Sequence, residues 1–129
     1  TKIRGCSMVK KDTPVIYLTT YFKEKASFYF TLYHELYHIK SDYNKLINKA
    51  NIDDLNEDKA DMFALDKMID SKVWSDILND FKNNNIDLSK YNVSKSFIYS
   101  RLAYEGYIEY NSKLYNNNIE RIEINKEII

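Results

Sequence analysis

The sequence predicts a small α+β domain, a small antiparallel β-sheet packed on a helical bundle, and three observations carry that expectation. Glycine occurs twice and proline once in 129 residues, a composition that helices tolerate and a many-turned β-sandwich does not. An apolar run, Val15-Ile16-Tyr17-Leu18, follows a turn signal at Asp12-Thr13-Pro14, so Arg4 to Val9 can pair with it as a hairpin. From about Lys23 onward the apolar residues take helical spacing in several successive segments.

The first helix is expected from about Lys23 to Lys40. Phe28, Leu32, Leu36 and Ile39 form one stripe, Tyr29, Tyr33 and Tyr37 a second, and His34 and His38 lie on a third. A helix apolar on most sides belongs among neighbours. The tyrosine stripe reads as core or as a docking surface for the strands before it reads as a partner site. Residues 41–53 are polar and read as loop. A second helix runs from about Leu55 to Ile69 with Asp53 or Asp54 as N-cap. A third covers about Lys72 to Lys82, with Val73, Ile77 and Phe81 on one face and the Asn83-Asn84-Asn85 triplet ending it. Residues 88–106 read as short helix, turn at Asn92-Val93-Ser94 and longer helix, with Gly106 as C-cap. Tyr107 to Tyr110 reads as a short strand, and the tail with Ile122 and Ile124 as an edge strand or loose.

One domain, 1–129, accommodates all of this. Lys plus Arg and Asp plus Glu number 19 each, so the net charge is zero, which argues against a general nucleic-acid or anionic-membrane binder acting through bulk charge. No apolar run is long enough to span a membrane, and no signal peptide is visible. The expectation is therefore a cytoplasmic protein. The single cysteine, Cys6, excludes an intramolecular disulfide framework or a cysteine zinc ribbon. Cys6 reads first as a small buried hydrophobe and second as an inhibitory cap on a metal. The chain begins at Thr1 rather than Met, so a fragment lacking N-terminal residues is expected.

The chemistry concentrates in His34-Glu35-Leu36-Tyr37-His38. Positions four apart on a helix lie one turn above each other, and two imidazoles so placed bind one zinc ion. Glu35, one residue on, turns away from direct ligation but reaches water at the metal, the placement of a general base in zinc peptidases. Catalytic zinc takes three protein ligands and one water. The chain has only two histidines, so the third ligand must be a carboxylate. Glu57 is the best candidate: Glu57, Asp61, Ala64 and Met68 share a face, and the small Ala60 and Ala64 let that helix approach the first. Asp61 is placed to accept a hydrogen bond from a ligand histidine and fix its tautomer. An exposed charge at a helix N-terminus is the plainer reading of Glu57.

Taken in order, these residues resemble the ImmA/IrrE family of metallopeptidases. The matching segments are Pro14-Val15-Ile16-Tyr17-Leu18, then Phe30-Thr31-Leu32-Tyr33-His34-Glu35-Leu36-Tyr37-His38, then Glu57-Asp58-Lys59-Ala60-Asp61-Met62-Phe63-Ala64, with a helix-turn-helix-like segment from Val93 to Leu102 and the later Gly106-Tyr107-Ile108. The resemblance covers roughly residues 4–110. It implies that His34, His38 and Glu57 are zinc ligands and that Glu35 is the catalytic base. It also implies a regulatory endopeptidase that cleaves a repressor or antitoxin-like transcription factor. Two positions depart from the family pattern: Tyr37 stands where a small residue is usual, and Lys59 where an acidic one is common.

A peptidase also needs a donor for the oxyanion. Tyr99, Arg101 and Tyr104 are the candidates, and sequence does not choose among them. The alternative function is a non-proteolytic zinc-containing binding module, which docks a partner or binds DNA through 88–106. The cations of that segment's second helix are few, Lys95 and Arg101 against Glu105, so direct nucleic-acid binding is not expected and closing the domain around the metal helices is the better role.

Overall fold

A computed structural model describes residues 5–19, 24–48, 55–85 and 87–122. Two strands, β1 (Gly5–Lys10) and β2 (Thr13–Leu18), form an antiparallel pair. Six helices follow among the described residues: α1 (Lys25–Ser41), α2 (Tyr43–Asn48), α3 (Glu57–Met68), α4 (Ser71–Lys82), α5 (Lys95–Tyr104) and α6 (Lys113–Asn116). The fold is a small α+β arrangement. None of the described helices is long and apolar enough to cross a membrane.

The hairpin pairs Gly5 with Leu18, Ser7 with Ile16 and Val9 with Pro14. Its turn is Lys11-Asp12, one residue earlier than the sequence suggests. Both residues have positive φ, 48° and 65°, the signature of the two-residue hairpin turn whose twist matches the strands. Thr13 and Pro14 therefore start β2. Proline is tolerated there because a two-stranded sheet consists of edges. The sheet lies on α1, and Gly5 lets it approach: a Cβ at Gly5 would stand 2.7 Å from Thr31 Cγ2. Arg4 lies outside the described residues.

The buried line along α1 is not the apolar stripe expected from its spacing. Thr31, Glu35 and His38 are buried, while Leu36 is exposed and Phe28, Leu32 and Ile39 are half-buried. The polar line faces the sheet and α3, and each member has a partner: Thr31 Oγ1 donates to the Ser27 carbonyl at 2.9 Å, and Glu35 and His38 bond to Ser7 and Asp42. Burying polar groups is affordable only on such terms. The tyrosine stripe turns to helices rather than to the strands. Tyr29 packs edge-on against Phe97 of α5 at 5.7 Å and Tyr37 against Phe63 of α3 at 5.6 Å.

Residues 43–48 form a helix where a loop was expected. Leu46, 3 % exposed, anchors a segment too polar to show a helical period. α3 starts at Glu57 rather than Leu55, because Asn56 is the cap and accepts from the Lys59 N–H at 3.0 Å; Asp53 and Asp54 lie outside the described residues. α4 is capped by Asp70 and closes at Asn84, whose positive φ of 59° lets Asn85 N–H reach back to the Asp80 carbonyl. Gly106, φ +85°, ends α5 in the same way, and Tyr107 N–H bonds the Leu102 carbonyl at 2.8 Å. That return absorbs the backbone of Tyr107 and Ile108. Tyr107 to Tyr110 accordingly form turns instead of the expected strand, and α6 follows with Tyr115 buried.

One core sits between α4, α5 and the end of α3, built on Ile69, Trp74, Ile77, Leu88, Ile98 and Leu102. The short first helix of segment 88–106 is a single 3₁₀ turn, Leu88–Lys90. Ser96, Ile98, Tyr99, Leu102 and Ala103 of α5 are buried, so most of that helix is turned into the domain. The tail is tied back by a bridge between Glu24 and Arg121 and by Tyr115, whose hydroxyl donates to Glu24 at 2.7 Å. Burial, together with that carboxylate, holds the Tyr115 hydroxyl well above the usual tyrosine range. Ile124 lies outside the described residues.

Candidate metal centre

α1 and α3 meet through Ala60 and Ala64, both fully buried. With methyl groups at these two positions, the first turn of α3 comes level with the histidine turn of α1. His34, His38 and Glu57 then present ligand atoms that all lie within 4.8 Å of one another. Glu57 Oε2 lies 2.8 Å from His34 Nε2, and its Oε1 lies 3.1 Å from His38 Nε2. The two Nε2 atoms are 3.2 Å apart.

The other nitrogen of each ring is occupied. His34 Nδ1 lies 2.8 Å from Asp61 Oδ1, and His38 Nδ1 lies 2.8 Å from Asp42 Oδ2. A carboxylate only accepts, so each Nδ1 carries the hydrogen. A neutral imidazole then bears its lone pair at Nε2. Two such lone pairs and a carboxylate facing one another are a donor set that a cation can satisfy. A proton can bridge one of these contacts; a metal ion satisfies all three. Ligands at zinc bond lengths of 2.0–2.1 Å stand roughly 3.3 Å apart in a tetrahedron, close to the 3.2 Å between the two Nε2 atoms. The group can hold a metal ion.

Glu35 is 8 % exposed. The Ser7 hydroxyl lies 2.6 Å from its Oε1 and 2.9 Å from its backbone carbonyl. A hydroxyl has one hydrogen to give, and the shorter contact to the charged oxygen is the stronger acceptor. Ser7 thereby holds one carboxylate oxygen, while Oε2 stands 3.9 Å from His34 Nε2. A cleft of about 380 Å³ opens over these groups. Gly5, Phe30, Thr31 and Tyr104 line it together with His34, Glu35 and Asp61.

Of the three oxyanion candidates, Tyr104 lines this cleft. Tyr99 belongs to the apolar core beside Trp74 and Leu102, where burial pushes its hydroxyl pKa up. Arg101 stacks on Trp74 at 4.7 Å and its Nε donates to Glu105 at 2.6 Å. Cys6 is half-buried and alternates with Ser7, which puts the two side chains on opposite faces of β1. Tyr37 packs on Phe63 and is not among the residues lining the cleft.

Two residues of the site escape the sequence reading. Asp42 stands four residues beyond His38, the same spacing that joins the histidines, and that interval was its available signal. Ser7 had none beyond strand alternation, because its role depends on how the hairpin lies across α1. No family model matches the chain, and neither a curated protein nor a solved structure does.

Proposed function

We propose that this domain is a zinc-dependent endopeptidase of the ImmA/IrrE kind, acting on a regulatory protein such as a repressor or antitoxin. The observation that carries the reading is the convergence of His34 Nε2, His38 Nε2 and Glu57, with both Nδ1 positions held by carboxylates, next to a buried glutamate that is not one of the three. A site serving only structure favours four protein ligands and has no use for Glu35.

His34, His38 and Glu57 would hold the ion, which when bound would supply a Lewis acid for a carbonyl and for water. Asp61 and Asp42 keep both rings in the ligating tautomer. Glu35 acts as the base: Ser7 fixes Oε1 and leaves Oε2 to take a proton from the attacking water and deliver it to the leaving amine. Tyr104, on the wall of the same cleft, donates its hydroxyl to the oxyanion.

The test compares wild-type chain, Glu35→Gln and His38→Ala, each titrated with zinc and then incubated with a degenerate fluorogenic peptide library. Wild type binds one equivalent and cleaves; Glu35→Gln binds zinc and loses at least a hundredfold in rate, the usual contribution of a general base; His38→Ala loses both. Cleavage by Glu35→Gln at the wild-type rate would refute the assignment.

A further inference from the structure

A second cavity adjoins the metal cleft. It measures about 90 Å³ and shares Phe30 and Tyr104 with the cleft. The Phe30 ring lies 6.2 Å from the His34 ring, centroid to centroid, so a single aromatic side chain separates the cavity from a histidine of the metal centre. Leu65, Met68 and Ile69 supply an apolar wall. Tyr104 and Tyr110 also line the cavity and are more than half exposed, so its open side is aromatic. Arg101 belongs to the lining, but its Nε is bonded to Glu105, its plane rests on Trp74 and its Nη1 is shielded from solvent. The surface offered to a ligand is therefore mainly carbon, as in most ligand pockets.

We propose that this cavity is the subsite for one substrate side chain flanking the scissile bond, and that it selects a branched aliphatic residue, leucine or isoleucine. The proposal rests on the peptidase reading of the adjoining cleft. Successive residues of an extended chain stand about 3.3 Å apart, so a cavity one ring beyond His34 is within reach of a residue next to a carbonyl held at the metal centre. Size sets the choice among apolar side chains. A cavity near 150 Å³ takes up benzene, about six carbons, so about 90 Å³ seats roughly four, the number beyond Cα in leucine and isoleucine. Alanine leaves most of that space empty. Phenylalanine and tryptophan exceed it. Lysine and glutamate bring a charge against Leu65, Met68 and Ile69, where it loses water and gains no partner.

The test is calorimetric binding of hydroxamates to the zinc-loaded chain. The chelating group is common to all the probes and anchors on the metal. Amino-acid hydroxamates and 2-substituted succinyl hydroxamates carry the variable side chain on opposite sides of it, so differences among the Leu, Ala, Phe and Lys members of each series report the subsite. In one series Leu binds at least tenfold more tightly than Ala, the effect of added methylenes in an apolar pocket, and more tightly than Phe and Lys. Leu65→Ala takes about three carbons from the wall, as many as separate the Leu and Phe probes, and brings Phe level with Leu or ahead of it. Met68→Ala, on the same wall, serves if Leu65→Ala fails to melt cooperatively. A Leu preference over Ala below tenfold in both series overturns the subsite while leaving the metal centre standing. So does Phe binding ahead of Leu to wild type, or a Phe probe that gains nothing in the enlarged pocket. If no hydroxamate binds at all, the metal-centre reading fails and the subsite falls with it.

Discussion

Replacing Asp42 with alanine separates two roles that one carboxylate plays. Its Oδ2 is 2.8 Å from His38 Nδ1, and the ring is 2 % exposed. Without the carboxylate, a buried Nδ1–H loses its partner, which costs about 1–3 kcal/mol. At this chain length that lowers Tm by roughly 3–6 °C per kcal/mol. Lys45, 4.0 Å from Asp42 and half-exposed, adds little. The backbone cap is untouched, since Asp42 N–H to the His38 carbonyl survives any side-chain change. Zinc affinity should fall about 10- to 100-fold, because removing the carboxylate frees the tautomer and weakens the ligand's basicity. Asp42→Asn keeps an oxygen acceptor and should recover part of the affinity. The assay is competition with a chromophoric chelator at fixed pH, alongside melting of the metal-free chain. A lowered Tm with zinc affinity within twofold of wild type would mean that Asp42 merely fills space, and the tautomer argument would be wrong.

Two further outcomes follow from the packing and the charges. Ala64→Leu puts a large side chain into a fully buried contact between α1 and α3, so it should cost about 1–3 kcal/mol and lower zinc affinity in parallel by withdrawing Glu57; differential scanning calorimetry with the chelator assay checks both. Asp80 is held below its usual carboxylate range, first by the Lys90 ammonium and then by the Tyr91 hydroxyl. A lowered folded-state value means the stabilisation is present above the ordinary value of 3.8 and fades as pH falls through the folded one. Asp80→Asn should therefore melt below wild type at pH 7 and converge with it in acid, and a gap that widened in acid would reverse the sign of this reasoning.

The fold was legible where a residue type acts locally. The hairpin, α1, α3, α4 and α5 follow from periodicity, and Gly106 and the asparagine triplet mark helix ends through positive φ. What was not legible depends on contacts distant in sequence. The buried line of α1 is polar, which hydrophobic spacing does not single out; Ser7, Ser27 and Asp42 supply the partners that make that burial tolerable. α2 is anchored by Leu46, and α6 is too short for a period. At the metal centre the pair His34 and His38 is a local pattern, and the small residues of α3 announce its close approach. Ser7 becomes visible only when strand and helix are brought together in space.

The central claim is a three-ligand metal site with an adjacent base, and a crystal structure of the zinc-loaded chain tests it most directly. The account predicts one ion bound by His34 Nε2, His38 Nε2 and the Glu57 carboxylate, with the remaining position taken by solvent and Glu35 beside it. A fourth protein ligand closing the shell, or an ion bound away from these three residues, would contradict it.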